Sequence, residues 1–336
     1  MAGVSAGRRE QGAGLARIRC TVMSDLGPAV ATVVRRCLAV APGEDALVIV
    51  DPGTRLIGEA LRNECAGAGA DAVLAVMDER ATDGTEPPPT IAAALEACDV
   101  FIAPTSRSLS HTAARKRASD AGARGATMPG VTEDMLARVM AVDFDTMAAR
   151  SKVVAAVLDE GSRAHVTCPR GTDLRLALDG RAGISDDGEL TAKGAFGNLP
   201  CGEGFIAPAF GEGTIVAASL ASLGLSIDPA RLTVAEGRIV AADGGLGPRF
   251  IELLLQHGEL GTNLAELGVG TNDRARLTGN VLEDEKILGT VHVAFGASAG
   301  IGGTVSVPIH LDVVVVDASL EVDGRQVLDA GRYVLG

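Results

Sequence analysis

The sequence predicts an α/β protein, with a Rossmann-like N-terminal domain followed by a mixed α+β, sheet-rich C-terminal domain. Three observations carry this expectation. Between Pro28 and about Met140, short apolar runs alternate with helical segments, the pattern of parallel βαβ units with helices on both faces of a sheet. After a helical stretch from Asp143 to Glu160 the pattern changes to strand-like runs joined by Gly and Asp turns. The length, 336 residues, is roughly twice that of a domain of about 150 residues.

Taken in order, residues 1–23 contain Arg and Gly but no apolar h-region. They are therefore not a secretory signal, and a poorly ordered extension is expected there. AVATVVRRCLAV suits an amphipathic helix and Ala46 to Asp51 a buried strand; Thr54 is a candidate N-cap for the helix TRLIGEALRNECAGAGA. DAVLAVM, DVFIAP and RGATMPG are further short strands. The first strand leads into Asp51-Pro52-Gly53-Thr54, not G-x-G-x-x-G, and no Walker sequence is present, so the layout lacks a phosphate cradle. The Asp143–Glu160 helix reads as the hinge, giving domains of 24–145 and 146–336. In the second, RAHVTCP, DLRLALDG, GTIVAAS, RLTVAEGRIVAADG, NLAELGVG, GTVHVAFG, IHLDVVVVD and LEVDGRQVL read as strands, and GPRFIELLLQHG and LEDEKILG as helices.

Composition narrows the function. Apolar residues make up 47% of the chain and charged residues 22%, which excludes wholesale disorder. The net charge of −13 and the lack of Trp, with one Tyr and seven Phe, argue against nucleic acid as a partner. No apolar run reaches the roughly 18 residues that would span a bilayer. Six scattered cysteines without a C-x-x-C suggest reduced thiols and a cytoplasmic location.

The most informative run is Ile309-His310-Leu311-Asp312-Val313-Val314-Val315-Val316. Residues two apart on a strand share a face, so His310 and Asp312 project together from an otherwise apolar strand. Burying both is costly unless they pair with each other, hydrogen-bond to backbone or bind a cation. His292 lies in a similar strand beside Ala294 and Gly296, where small neighbours leave room for the ring. Glu266 is a carboxylate within an apolar strand, and Glu203 lies on the Gly-rich loop GNLPCGE. His165 has no carboxylate at ligand spacing and reads as structural. His257 ends a helix just before Gly258, where a cation favoured by the helix dipole and a metal ligand are both plausible readings.

GNLPCGE, NLAELGVGTN, LEDEKILGTVHVAFG and GGTVSVPIHLD together resemble the thermophilic metallo-aminopeptidases (aminopeptidases T and S) and their shorter relatives, among them 2,5-dihydroxypyridine 5,6-dioxygenase. The resemblance covers the chain from about residue 24 and is strongest from Gly197 to Asp312. Likeness to the aminopeptidases implies two ions, zinc or cobalt, held by Glu203, Glu266, His292, His310 and Asp312. The Tyr that follows the first His in those enzymes has no counterpart, since His292 is followed by VAFGASAGIGG and the only Tyr is Tyr333. Likeness to the dioxygenase, which is similar in length, implies one Fe(II) on His257, His310 and Asp312, a 2-His-1-carboxylate triad with open positions. Ser108-Leu109-Ser110-His111-Thr112 resembles the S-x-S-H-T segment of the short relatives, which implies proton transfer by His111; a surface His near an N-cap is the alternative.

The expectation is therefore a cytoplasmic, homo-oligomeric iron(II) dioxygenase that opens a small dihydroxylated N-heteroaromatic ring with O₂. His257, His310 and Asp312 would hold the metal and His111 would move a proton. Glu203, Glu266 and His292 would orient ligands and substrate. A dinuclear amide hydrolase is the rival. Neither nucleic acid nor membrane is expected as a partner.

Overall fold

The computed structural model describes residues 26–335; the expected N-terminal extension lies outside the described residues. Residues 26–37 are helical (α1), with Thr32–Cys37 wound as a π-helix. The alternation that follows is β1 (Asp45–Val50), α2 (Arg55–Gly67), β2 (Asp71–Val76), α3 (Pro89–Ala97), β3 (Val100–Ala103), α4 (Ala113–Ala121) and β4 (Arg124–Thr127). In β1 every residue after Asp45 is buried, as expected of a strand covered on both faces. Thr54 occupies the N-cap position of α2 but does not cap it; its hydroxyl donates to the Pro104 carbonyl at 2.5 Å instead. Thr112 and Thr132 do cap, at α4 and at α5 (Glu133–Val139).

The first sheet is wholly parallel. Beginning at one edge its order is β2, β1, β3, β4 and then β8 (Phe196–Asn198). The fifth strand comes from beyond the Asp143-capped helix α6 (Phe144–Glu160), so the chain returns to the first sheet after that helix. A three-residue strand, Phe196-Gly197-Asn198, carries too little pattern to be read from sequence. The order reverses between β1 and β3, and a doubly wound sheet opens a crevice at its carboxyl edge at such a point.

The remaining strands form a large antiparallel sheet. Four of them carry the site and lie side by side: β9 (Glu203–Ile206), β13 (Leu264–Gly270), β14 (Val291–Gly296) and β15 (His310–Val315). On its other side β15 pairs with β10 (Phe210–Leu220), so it is the interior strand its apolar run predicts. One face of this sheet forms the largest apolar cluster, with Leu267, Val269, Val291, Val293, Phe295, Leu311, Val313 and Val315. Two further clusters flank the parallel sheet. The LEDEKILG segment is less helical than expected: α8 spans only Val281–Asp284, and Lys286 follows it in turn conformation. Arg138 ties α5 to α8 by a forked pair with buried Glu283, at 2.5 and 2.9 Å. Among the described residues no helix is long and apolar enough to cross a membrane.

Candidate metal centre

Strand register gathers the site. Directly paired residues of antiparallel strands project to the same face, and so do residues two apart on one strand. Asp312 pairs with Ala294 and His310 with Gly296, which places His292 on their face. Glu266 pairs with Ala294, Gly268 with His292, and Gly270 with Glu203. Four strands thus deliver Glu203, Glu266, His292, His310 and Asp312 to one face, opposite the apolar cluster.

The donor atoms converge in two overlapping groups: Glu203, Glu266 and His292, and Glu266, His310 and Asp312. Within each, one ligand atom per residue lies within 4.8 Å of the others. His292 Nε2 is 3.1 Å from Glu203 Oε2 and 3.3 Å from Glu266 Oε1; His310 Nε2 is 3.3 Å from Glu266 Oε2 and 3.8 Å from Asp312 Oδ1. Glu266 therefore bridges the two groups. His310 Nδ1 lies 2.7 Å from the Ala297 carbonyl. A carbonyl only accepts, so Nδ1 carries the proton and Nε2 is turned to the carboxylates, the usual way a metal-binding imidazole is aimed.

Room for the His292 ring comes from a residue the sequence did not single out. A Cβ on Gly268 would lie 1.9 Å from His292 Nε2. Lys286 was missed as well. Its ammonium is 1% exposed and lies 2.5 Å from Glu203 Oε1, 2.8 Å from Glu285 Oε1 and 3.6 Å from Asp186 Oδ2. The only signal in the sequence is a lysine amid acids in DEK, which reads equally well as a solvated helix face. Glu203 is thus anchored by Lys286 through Oε1, while its buried Oε2 faces His292 Nε2 at 3.1 Å.

The electrostatics follow from this crowding. Burial alone would lower His310, but Asp312 and Glu266 prevail and push it up to about 10. Burial opposes the charge on His292 too, yet Glu203 and Glu266 hold it well above the ordinary imidazole range. Burial raises Asp186 to about 7 and Glu285 to about 8, against the pull of Lys286. Two overlapping groups of imidazole and carboxylate donors, each converging within 4.8 Å, suit a divalent cation of intermediate hardness, iron(II) and zinc included.

His111 reaches this site from the first sheet. It precedes Thr112, the N-cap of α4, and its ring centroid lies 5.6 Å from that of His310. One side of the residue is open to solvent, but crowding by protein and then the charge of His310 lower its pKa to about 4. His257 does not join the cluster. It is exposed just beyond α7 (Gly247–Leu255), its N–H donating to the Leu254 carbonyl, and Gly258 follows at φ +72°. The expected His257–His310–Asp312 triad is therefore not assembled here. Glu266 stands beside His310 and Asp312, because β13 lies next to β14 while α7 ends outside the donor groups. His165 pairs with Asp173 across the hairpin from β5 (Arg163–Thr167) to β6 (Asp173–Ala177), at 2.8 Å, as a structural histidine would.

Known proteins agree with this architecture. The structure of 2,5-dihydroxypyridine dioxygenase from Pseudomonas putida KT2440 superposes with a TM-score of 0.78 at 18% identity, covering 94% of this chain and 98% of that one. Wild-type AmpT from Thermus thermophilus superposes with a TM-score of 0.68 at 19% identity, covering 93% and 99%. At such identities the likeness is one of fold. No curated protein matches the sequence. The profile of the family NicX, 2,5-dihydroxypyridine 5,6-dioxygenase, matches residues 40–335. That span holds both sheets and all the converging donors, and on it the chain belongs to the NicX family, that of 2,5-dihydroxypyridine 5,6-dioxygenase.

Proposed function

We propose that the protein is a ring-cleaving dioxygenase for a small dihydroxylated N-heteroaromatic such as 2,5-dihydroxypyridine, with one iron(II) held by Glu266, His310 and Asp312. The observation that carries this reading is the convergence of those three donors within 4.8 Å, with the His111 ring centroid 5.6 Å from that of His310 and the two rings tilted by 32°. Bound iron(II) supplies the redox chemistry that lets an aromatic ring react with dioxygen. The chain does the rest. Neutral His111 accepts the proton of a substrate hydroxyl, raising the electron density of the ring. The Ala297 carbonyl keeps His310 Nε2 aimed at the site, and His292 and Lys286 fix the two glutamates. Both oxygen atoms enter the product, so no external reductant is needed.

A second reading rests on the other donor group. Glu203, Glu266 and His292 have the composition of a second ion site, and with it the centre would suit a dinuclear hydrolase. Metal content after anaerobic loading separates the two, measured with oxygen uptake on 2,5-dihydroxypyridine and with hydrolysis of aminoacyl amides. One iron per chain and oxygen uptake support the dioxygenase. Two ions, amide hydrolysis and no oxygen uptake support the hydrolase.

A further inference from the structure

His111 faces the metal donors because its neighbours are drawn the other way. Leu109 is buried in the apolar cluster beneath α4, and Ser110 is buried against the carboxyl ends of β4 and β8. There Thr127 and Asn198 are paired in register and stand side by side. Ser110 Oγ lies 2.7 Å from Thr127 Oγ1, and Thr127 Oγ1 donates to Asn198 Oδ1 at 2.7 Å. Ser108 Oγ donates to Ser110 Oγ at 2.9 Å, and Asn198 Oδ1 is also 3.2 Å from Ser110 Oγ.

Each hydroxyl has one proton to give, and an amide oxygen only accepts. The bonds therefore converge on Asn198 Oδ1, which accepts from Thr127 Oγ1 and lies within reach of the Ser110 hydroxyl. Ser110 and Thr127 are buried, and each of their hydroxyls has a partner in this network, which restrains the segment. The far end of the network matters for the site. Asn198 begins the segment Asn198-Leu199-Pro200-Cys201-Gly202 that delivers Glu203, so one amide ties the His111 segment to the strand bearing a candidate metal donor. The flanks are fixed independently. Asp51 accepts from the Ser106 N–H at 2.5 Å, Asp83 from the Ser108 N–H at 2.7 Å, and Glu86 from the N–H groups of Ala113 and Ala114.

We propose that Ser110 is a positioning residue for ring cleavage: its hydroxyl, seated on Thr127 and Asn198, sets the distance and tilt of the His111 ring relative to His310. This rests on the assignment of proton transfer to His111 made above. Ser110 does not reach substrate; it acts through the residue that follows it.

Selective ¹³C-histidine labelling tests this, because the chain has only five histidines. In the metal-free protein a ring-to-ring NOE between His111 and His310 is expected. It is lost in Ser110→Ala and in the volume-conserving Thr127→Val, and kept in Ser110→Thr. With iron loaded, Ser110→Ala lowers kcat on 2,5-dihydroxypyridine by roughly ten- to a hundredfold, as small misplacements of catalytic groups do, while KM and iron per chain are unchanged. Ser110→Thr restores most of the rate. An NOE that survives in folded Ser110→Ala and Thr127→Val overturns the proposal, as does a lost NOE with unchanged kcat. If the wild type shows the NOE but consumes no oxygen with dihydroxypyridines, the proposed reaction fails, and the NOE series still decides whether Ser110 sets the ring.

Discussion

His310 and Asp312 are where sequence and structure agree most closely, and the reason is local. H-x-D on a strand fixes two side chains to one face whatever surrounds them. Glu266 and His292 were visible as ionisable groups within apolar runs. His257 lies outside the donor groups, and a histidine before a C′ glycine looks the same in sequence whether or not a site lies nearby. Gly268 and Lys286 act across strands and turns, so their roles depend on register and not on neighbours in sequence. The ligand assignment predicts that His310→Ala and Glu266→Gln lose iron, while His257→Ala keeps it, as measured by metal content after anaerobic loading. Protonation gives a second test. The carboxylates hold His310 protonated up to about pH 10, and His292 is likewise raised. A cation must displace those protons, so its binding releases protons and tightens as pH rises from about 6 to 9. Titration calorimetry in buffers of different ionisation enthalpy reads the protons released; affinity that falls over that range would contradict the assignment.

At the scale of elements, the site exists because β9, β13, β14 and β15 are in one register. A slip of one residue would turn every donor of a strand into the apolar cluster. The alternation in β14 and the apolar run of β15 showed that such strands exist, but not which lie side by side. Neither the pairing of β8 with β4 nor the short α8 left a readable period. Gly268→Ala tests the packing between β13 and β14. Its methyl meets the His292 ring, so destabilisation of about 1–3 kcal/mol is expected from overpacking. Urea unfolding would show it as a lower midpoint at constant slope. Lys286→Met leaves Glu203, Glu285 and Asp186 facing one another without a cation. Removing one member of a buried charge cluster costs about 3–5 kcal/mol, so this variant is expected to unfold well below the wild-type temperature.

For the whole molecule, the two-sheet plan was legible because parallel βαβ units and hairpin-rich segments differ in composition and spacing. The return of the chain into the first sheet was not. The cysteines also bear on global stability. Burial pushes Cys37 and Cys98 up to about 12 and Cys65 up to about 11. In the unfolded chain these thiols ionise near the ordinary thiol value of 9.0, so between about pH 9 and 12 the unfolded state binds fewer protons than the folded one. Stability conferred by these neutral thiols is intact below pH 9 and is lost as pH rises towards 12. Thermal unfolding between pH 8 and 11 is expected to show a falling midpoint, and a Cys37→Ser variant a shallower fall.

Site and reaction are tested together by oxygen consumption measured with iron content on the same anaerobically loaded samples, with 2,5-dihydroxypyridine as substrate. Wild-type protein with one iron per chain is expected to consume one O₂ per ring opened, and Glu266→Gln to lose iron and uptake together. Full uptake by a Glu266→Gln protein that keeps its iron would contradict the account.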